Sequence, residues 1–245
     1  MSAAEIDLAS GGTPADTWTA WLPDFPLLDL GACPALVIVA PHPDDETLGL
    51  GATAATLAGR GVPVQVVAVS DGDAAYPGLD ANDRGRLAAV RRTELSQAAA
   101  MLGVAEPLFV GLPDGELDHH EDRTADALAD ILAAQPAGAW CAATWRGDGH
   151  PDHEAVGRAA AAAARNADAV FAEYPVWMWH WATPGEPAVP WQRARRPALS
   201  PAGVVAKRQA AQCFRSQFLP PPGQPAVLPA GMVQRLLAVG EVLFV

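Results

Sequence analysis

Residues 35–61 read ALVIVAPHPDDETLGLGATAATLAGRG, and this stretch decides the fold. Its first six residues form an unbroken apolar run, the pattern of a strand covered on both faces rather than one alternating between core and water. Residues 47–61 are rich in Ala and Leu and stop at glycine, which predicts a helix. Outward from there the rhythm repeats. The pattern predicts strands over 62–70, 107–112, 139–145 and 169–174, and helices over 83–102, 118–134 and 154–165. Strands alternating with helices at this spacing are βαβ units. The expected fold class is therefore α/β, a doubly wound, mostly parallel sheet with helices on both faces and right-handed crossovers.

After residue 176 the rhythm weakens. Stretches 184–201 and 219–229 are rich in proline and read as ordered loops or covers. Residues 204–217 look helical, and 241–245 (EVLFV) read as a closing strand. Residues 1–34 mix Gly, Ser, Pro and acidic residues with Trp18, Trp21 and Phe25, the composition of an N-terminal extension docked by its aromatics. The expected organisation of the 245 residues is that extension plus one domain over 35–245, with a core over 35–176 and a C-terminal cover over 177–245.

Half of the residues are hydrophobic, enough for a large core without disulfide staples. The net charge of −12 argues against nucleic acid or an anionic membrane surface as partner, because both require a basic face. Cys33, Cys141 and Cys213 lie far apart and form no CxxC pair, so they read as small buried hydrophobes of a reduced compartment. The opening MSAAEIDLAS lacks the basic-then-apolar order of a signal peptide, and no apolar run reaches the ~20 residues of a membrane span. A soluble cytoplasmic protein is expected. Pro-rich loops and exposed tryptophans leave a homo-oligomer open.

Two clusters carry the chemistry. One is Pro41-His42-Pro43-Asp44-Asp45-Glu46, directly after the first predicted strand; the other is His150-Pro151-Asp152-His153, after the fourth and opening a helix. In a doubly wound sheet of order 3-2-1-4-5, strands one and four are neighbours where the order reverses, and ligands bind there. Imidazole nitrogens and carboxylate oxygens are ordinary zinc ligands, and a catalytic zinc keeps a position open for water. Of two adjacent carboxylates on a turn, one can ligate while the other stays free as general base. A second-cluster histidine turned toward substrate suits an oxyanion or proton-transfer role, with Asp152 placed to orient it.

PHPDDE with a later HPDH resembles the PIG-L/LmbE-like family of zinc-dependent de-N-acetylases. Further stretches are similar to the family's pattern: VVAVSDGD, RRTELSQAAAMLGV, LPDG and, more loosely, EYPVWMWHW through Ser216-Gln217. The resemblance implies a Rossmann-like (LmbE-like) fold and hydrolysis of an N-acyl, first of all N-acetyl, group on an amino sugar or related small polar molecule. It implies Zn2+ (other divalent ions also suit such donors) on His42, Asp45 and His153. Asp44 falls on the general base, His150 on the oxyanion-stabilising histidine, Asp152 on the carboxylate that positions it, and Arg91 on an arginine reaching substrate. Phe214 stands where many members carry histidine.

Other features have plainer readings. Gly49, Gly51 and Ala54 fit G-x-G-x-x-A with Asp71 about twenty residues on, as in a dinucleotide-binding oxidoreductase. That fingerprint needs its first glycine at the turn after the strand, whereas Gly49 and Gly51 fall inside the helix, where close packing accounts for them. A catalytically silent metal-binding protein is the other alternative, though it needs neither Asp44 nor His150. Arg146 and Asp148 flank the second cluster and read as mutual partners or substrate contacts; Asp71, Asp73 and Asp114 read as turn residues or hydroxyl ligands. His119 and His120 look like a solvated helix start. Trp177, Trp179 and Trp181 read as loop packing ahead of a sugar platform, with His180 at the solvent or substrate edge.

Overall fold

The computed structural model describes residues 11–21 and 23–245; the remainder of the expected extension, including the stretch read for a signal peptide, lies outside the described residues. In chain order the strands are β1 (Leu27–Leu28), β2 (Leu36–Ala40), β3 (Val64–Ser70), β4 (Leu108–Leu112), β5 (Trp140–Thr144), β6 (Val170–Tyr174), β7 (Ala194–Pro197) and β8 (Leu243–Phe244). The helices are α1 (Ala15–Trp21), α2 (Asp45–Ala58), α3 (Ala81–Leu102), α4 (Glu121–Ala133), α5 (Pro151–Asn166), α6 (Met178–Trp181), α7 (Pro201–Ala210), α8 (Arg215–Phe218) and α9 (Ala230–Ala238).

The eight strands form one sheet in the order β1-β7-β8-β6-β5-β2-β3-β4. The five strands legible in the sequence stand in the expected 3-2-1-4-5 order and are all parallel, so β2 and β5 are neighbours. β8 enters antiparallel between β6 and β7 and makes the sheet mixed. β1 and β7 were not legible. Each is two to four residues long, and β7 reads ARRP, so pairing rather than side-chain pattern makes them strands.

Strand periodicity puts buried apolar residues on both faces of the sheet. Val37 and Val39 of β2, with Val67, Val69, Cys141 and Ala143, face α4 and α5. Leu36 and Ile38 face α2, joined by Trp140, Ala142 and Tyr174. Phe214 lies wholly buried against Val66, Ala68 and Leu95, surroundings that suit an apolar ring.

Two glycines confirm the packing explanation. A Cβ on Gly49 would lie 2.3 Å from the Tyr174 ring, and one on Gly51 would lie 3.2 Å from Lys207 Cγ. Tyr174 is buried and tied by its hydroxyl to the Val39 carbonyl at 2.8 Å, so the ring cannot retreat. Gly49→Ala is expected to destabilise the protein by about 1–3 kcal/mol through overpacking, read as a lower midpoint in urea; an unchanged midpoint would refute the contact.

α2 breaks at Leu50, whose dihedrals (φ −134°, ψ 15°) are not helical. The backbone N–H groups of Ala52 and Thr53 then donate to the Glu241 carboxylate at 2.7 and 2.8 Å, and Lys207 Nζ lies 2.9 Å from it. A residue just ahead of β8 thus caps a helix begun two hundred positions earlier.

The described part of the extension joins the main core. Trp18 is fully buried and donates its indole N–H to the Trp179 carbonyl, while Phe25 stacks on Trp191. Trp140, Trp145, Trp177 and Trp179 are also buried, and Trp21, Trp181 and Trp191 are part-buried. The expectation of exposed tryptophans is therefore corrected. Among the described residues no helix is long and apolar enough to cross a membrane.

Candidate metal centre

Pro41 to Asp44 form the loop from β2 into α2, which opens at Asp45, and His150 caps the N-terminus of α5 beyond β5. Because β2 and β5 are adjacent and parallel, both loops leave the same sheet edge side by side. Pro151 sits at the first position of α5, where its missing N–H costs nothing, and so fixes the turn.

His42, Asp45 and His153 offer donor atoms that all lie within 4.8 Å of one another. Asp45 Oδ2 is 3.2 Å from His42 Nδ1 and 3.3 Å from His153 Nε2. Ligands about 2.1 Å from a shared tetrahedral ion stand roughly 3.4 Å apart. His153 is fully buried and its Nδ1 lies 2.8 Å from Asp148 Oδ2. A carboxylate only accepts, so Nδ1 carries the proton and Nε2 presents a lone pair. That Nε2 is buried and has no hydrogen-bond partner, facing a carboxylate oxygen. A cation fits there.

The electrostatics agree. Burial alone would lower the His153 pKa, yet the Asp45 and Asp148 carboxylates raise it to about 9. The same holds for His42, lifted well above the ordinary histidine value by Asp114, Asp152 and Asp45 against its burial. Asp45 stays well below the usual carboxylate range because the two histidines outweigh its burial. Without a metal, protons on imidazoles supply the positive charge that this group of acids demands.

Asp44 is next to this set but outside it. Its φ of 140° lies in a region that side chains other than glycine rarely adopt, a strain of the kind held at functional sites. Arg91, itself buried, donates to Asp44 Oδ2 at 3.1 Å, to the Pro43 carbonyl and to the Gly72 carbonyl. Burial, with Asp45 and Glu46 nearby, pushes the Asp44 pKa up to about 8 despite Arg91. Gly72 must be glycine, since it has φ +66° and a Cβ would lie 2.1 Å from the Arg91 guanidinium.

His150 accepts at Nδ1 from the Asp152 backbone N–H at 3.2 Å, so its proton sits on Nε2. Burial, together with His153 and His42, lowers its pKa to about 3. The Asp152 carboxylate does not hold His150 as expected; it accepts from the Gly115 and Leu117 N–H groups and approaches His42 Nε2 at 3.1 Å. Backbone, not carboxylate, positions His150. Donor atoms of His42, His150 and Asp152 also converge within 4.8 Å, a second overlapping set.

Three expected substrate contacts lie elsewhere. Arg146 pairs with buried Glu173 at 2.7 Å, not with Asp148. Asp148 is fully buried, binding His153 and the backbone N–H groups of Val176, Trp177 and Met178. Asp71 makes a two-pronged contact with Arg92. None of the three lines the ≈ 430 Å³ cavity above the cluster, whereas Arg91 and Asp114 do. Asp114 Oδ1 lies 3.1 Å from His42 Nε2, and Oδ2 accepts from Ala74 N–H. His180 is buried against Arg235 rather than at an edge, and His119 is exposed beside Asp118.

Among these, Asp148 is the one that holds a candidate metal ligand, and its place five residues before His153 is the signal in the sequence. Asp148→Asn is expected to weaken metal affinity about 10–100-fold, the usual consequence of losing a ligand's hydrogen-bonded partner. Calorimetric metal titration measures it, and unchanged affinity would refute the role.

Comparison with known proteins agrees with this geometry. The family model "PIG-L: GlcNAc-PI de-N-acetylase" matches residues 37–164. The 1D-myo-inositol 2-acetamido-2-deoxy-alpha-D-glucopyranoside deacetylase 1 of Saccharopolyspora erythraea is 34% identical over 157 residues, covering 51% of this chain and 52% of that protein. The chain spans about half the length of the curated relatives it matches. A conserved protein of Thermus thermophilus superposes with TM-score 0.54 at 27% identity over 75% of this chain and 79% of that one. An N,N'-diacetylchitobiose deacetylase from Pyrococcus horikoshii gives TM-score 0.60 at 23% identity, covering 78% of this chain and 74% of that one, a likeness of fold.

Proposed function

Because the chain belongs to the PIG-L family of GlcNAc-PI de-N-acetylases, we propose that it is a metal-dependent amide hydrolase removing an N-acyl group, first of all acetyl, from an amino sugar or related small molecule. The observation that carries the reading is the orphaned, buried Nε2 of His153 facing Asp45, whose chain neighbour Asp44 holds a carboxylate outside the donor set. His42, Asp45 and His153 would hold a divalent ion such as zinc. When bound, that ion supplies Lewis-acid polarisation of the amide carbonyl and acidifies water.

The chain's own groups do the rest. Asp44, whose proton affinity burial raises and which Arg91 steadies, takes in its ionised form a proton from the water as it attacks the carbonyl carbon. His150 is neutral at pH 7 and has its proton on Nε2, so it offers the growing oxyanion a hydrogen bond rather than a full charge. Asp44 returns its proton to the departing nitrogen as the C–N bond breaks. Water and amide are consumed; a carboxylate and an amine are released.

The other readings lose support. Gly49 and Gly51 lie within α2, not at the turn a dinucleotide needs, and Tyr174 and Lys207 account for them. A silent metal-binding protein has no use for a strained free carboxylate. The test is amine release from a panel of N-acetylated sugars and conjugates, with chelator and with restored zinc. Release that disappears and returns is expected; none from protein holding stoichiometric metal would overturn the proposal.

A further inference from the structure

We infer that the cavity above the metal cluster contains a subsite for hydrocarbon, so that the amide this chain cleaves carries an alkyl or aryl group. The inference rests on the hydrolase reading for its substrate, but on the cavity wall for its content. Besides the ligand and acid–base residues, the wall includes Val176, Trp177, Val227, Leu228 and Met232. Trp177 runs nearly parallel to the His150 ring, with centroids 6.1 Å apart and an interplanar angle of 27°, so the apolar wall begins directly at the candidate oxyanion histidine. Leu228 and Met232 are buried, and the Leu228 N–H is tied to the Gln217 carbonyl at 3.1 Å, which fixes that side of the wall.

Polar groups to meet free hydroxyls are scarce on this wall. Outside the cluster, Arg91 and Asp114 are its charged side chains, and Trp177 adds one indole N–H. Asp114 is engaged by Ala74 N–H and His42, and Arg91 is engaged by Asp44 and two carbonyls. The N–H groups of Gly115 and Gly149, also on the wall, already donate to Asp152 and Glu154. A hydroxyl desolvated without a partner loses roughly tenfold or more in affinity, whereas each buried methylene gains about fourfold. A ≈ 430 Å³ space of this kind selects hydrocarbon. Val227, Leu228 and Met232 lie beyond residues 37–164, the part matched by the family model, so the C-terminal cover supplies much of the subsite.

The alkyl group can enter on the acyl side or on the amine side, and one experiment separates the two. Dissociation constants are measured by calorimetry on the metal-loaded Asp44→Asn protein, below micelle concentrations. The probes are N-acetylglucosamine, its octyl glycoside, and N-octanoylglucosamine. One octyl compound is expected to bind at least ~30-fold more tightly than N-acetylglucosamine, the effect of burying two or three methylenes, and its identity names the side. Leu228→Asn should shrink that preference at least about fivefold. Val227→Asn, at a half-buried position, gives the same reading where the Leu228 variant fails to fold. Equal affinities for all three probes, or a preference untouched by the substitutions, would overturn the subsite. Amine release by the unaltered protein is scored separately: tight octyl binding without cleavage leaves the subsite standing and removes the hydrolase reading, while cleavage without octyl preference does the reverse.

Discussion

Asp44→Asn is expected to keep its full complement of metal and lose turnover by roughly 10²-fold or more. The substitution is nearly isosteric, and asparagine tolerates positive φ better than most residues, so the 140° backbone should survive. Asp44 is not among the donor atoms of either convergent set, which is why metal should remain. What disappears is the acceptor. An amide oxygen still receives the Arg91 hydrogen bond but cannot take a proton from water or carry one to the departing nitrogen. Metal content and kcat for amine release, measured on one preparation, decide the matter. Turnover near that of the unaltered enzyme would remove Asp44 from the base role.

His153→Ala should abolish stoichiometric metal. The substitution removes one of three donors and leaves Asp45 and Asp148 with no imidazole between them. The fall in affinity should exceed the ~10–100-fold typical of losing an outer partner, so the two variants, Asp148→Asn and His153→Ala, rank in a fixed order. Elemental analysis after dialysis reads it. One equivalent of metal retained by a folded His153→Ala protein would shift the centre to the overlapping set of His42, His150 and Asp152, and His153 would no longer count as a ligand.

Local signals carried part of the site well. PHPDDE and HPDH gave the converging residues because each cluster follows a strand whose apolar run is readable without knowing any neighbour. The roles of charged residues were harder. Arg146 and Asp148 are two positions apart and of opposite sign, an inviting pair, yet Glu173 on the neighbouring strand claims one and His153 the other. Likewise Asp152 is two residues from His150, but the first turn of α5 directs its carboxylate to the Gly115 and Leu117 N–H groups and leaves only its backbone for the imidazole. Partners of a buried charge are chosen by distance in space, which sequence separation does not report.

What the sequence determined by itself was the five-strand parallel core, its order and the meeting of two ligand-bearing loops. The strands follow from periodicity, which acts locally, and their parallel pairing from the βαβ rhythm; the order, and with it the meeting of the loops, followed from the common 3-2-1-4-5 arrangement of such sheets. Only the tertiary structure decided how β8 slots in antiparallel, how Glu241 caps the broken α2, which carboxylate holds His153, and that Val227, Leu228 and Met232 close the cavity. Most of those features join segments tens to hundreds of residues apart, in stretches too short or too rich in proline to show a period, so their conformation is set by what they pack against.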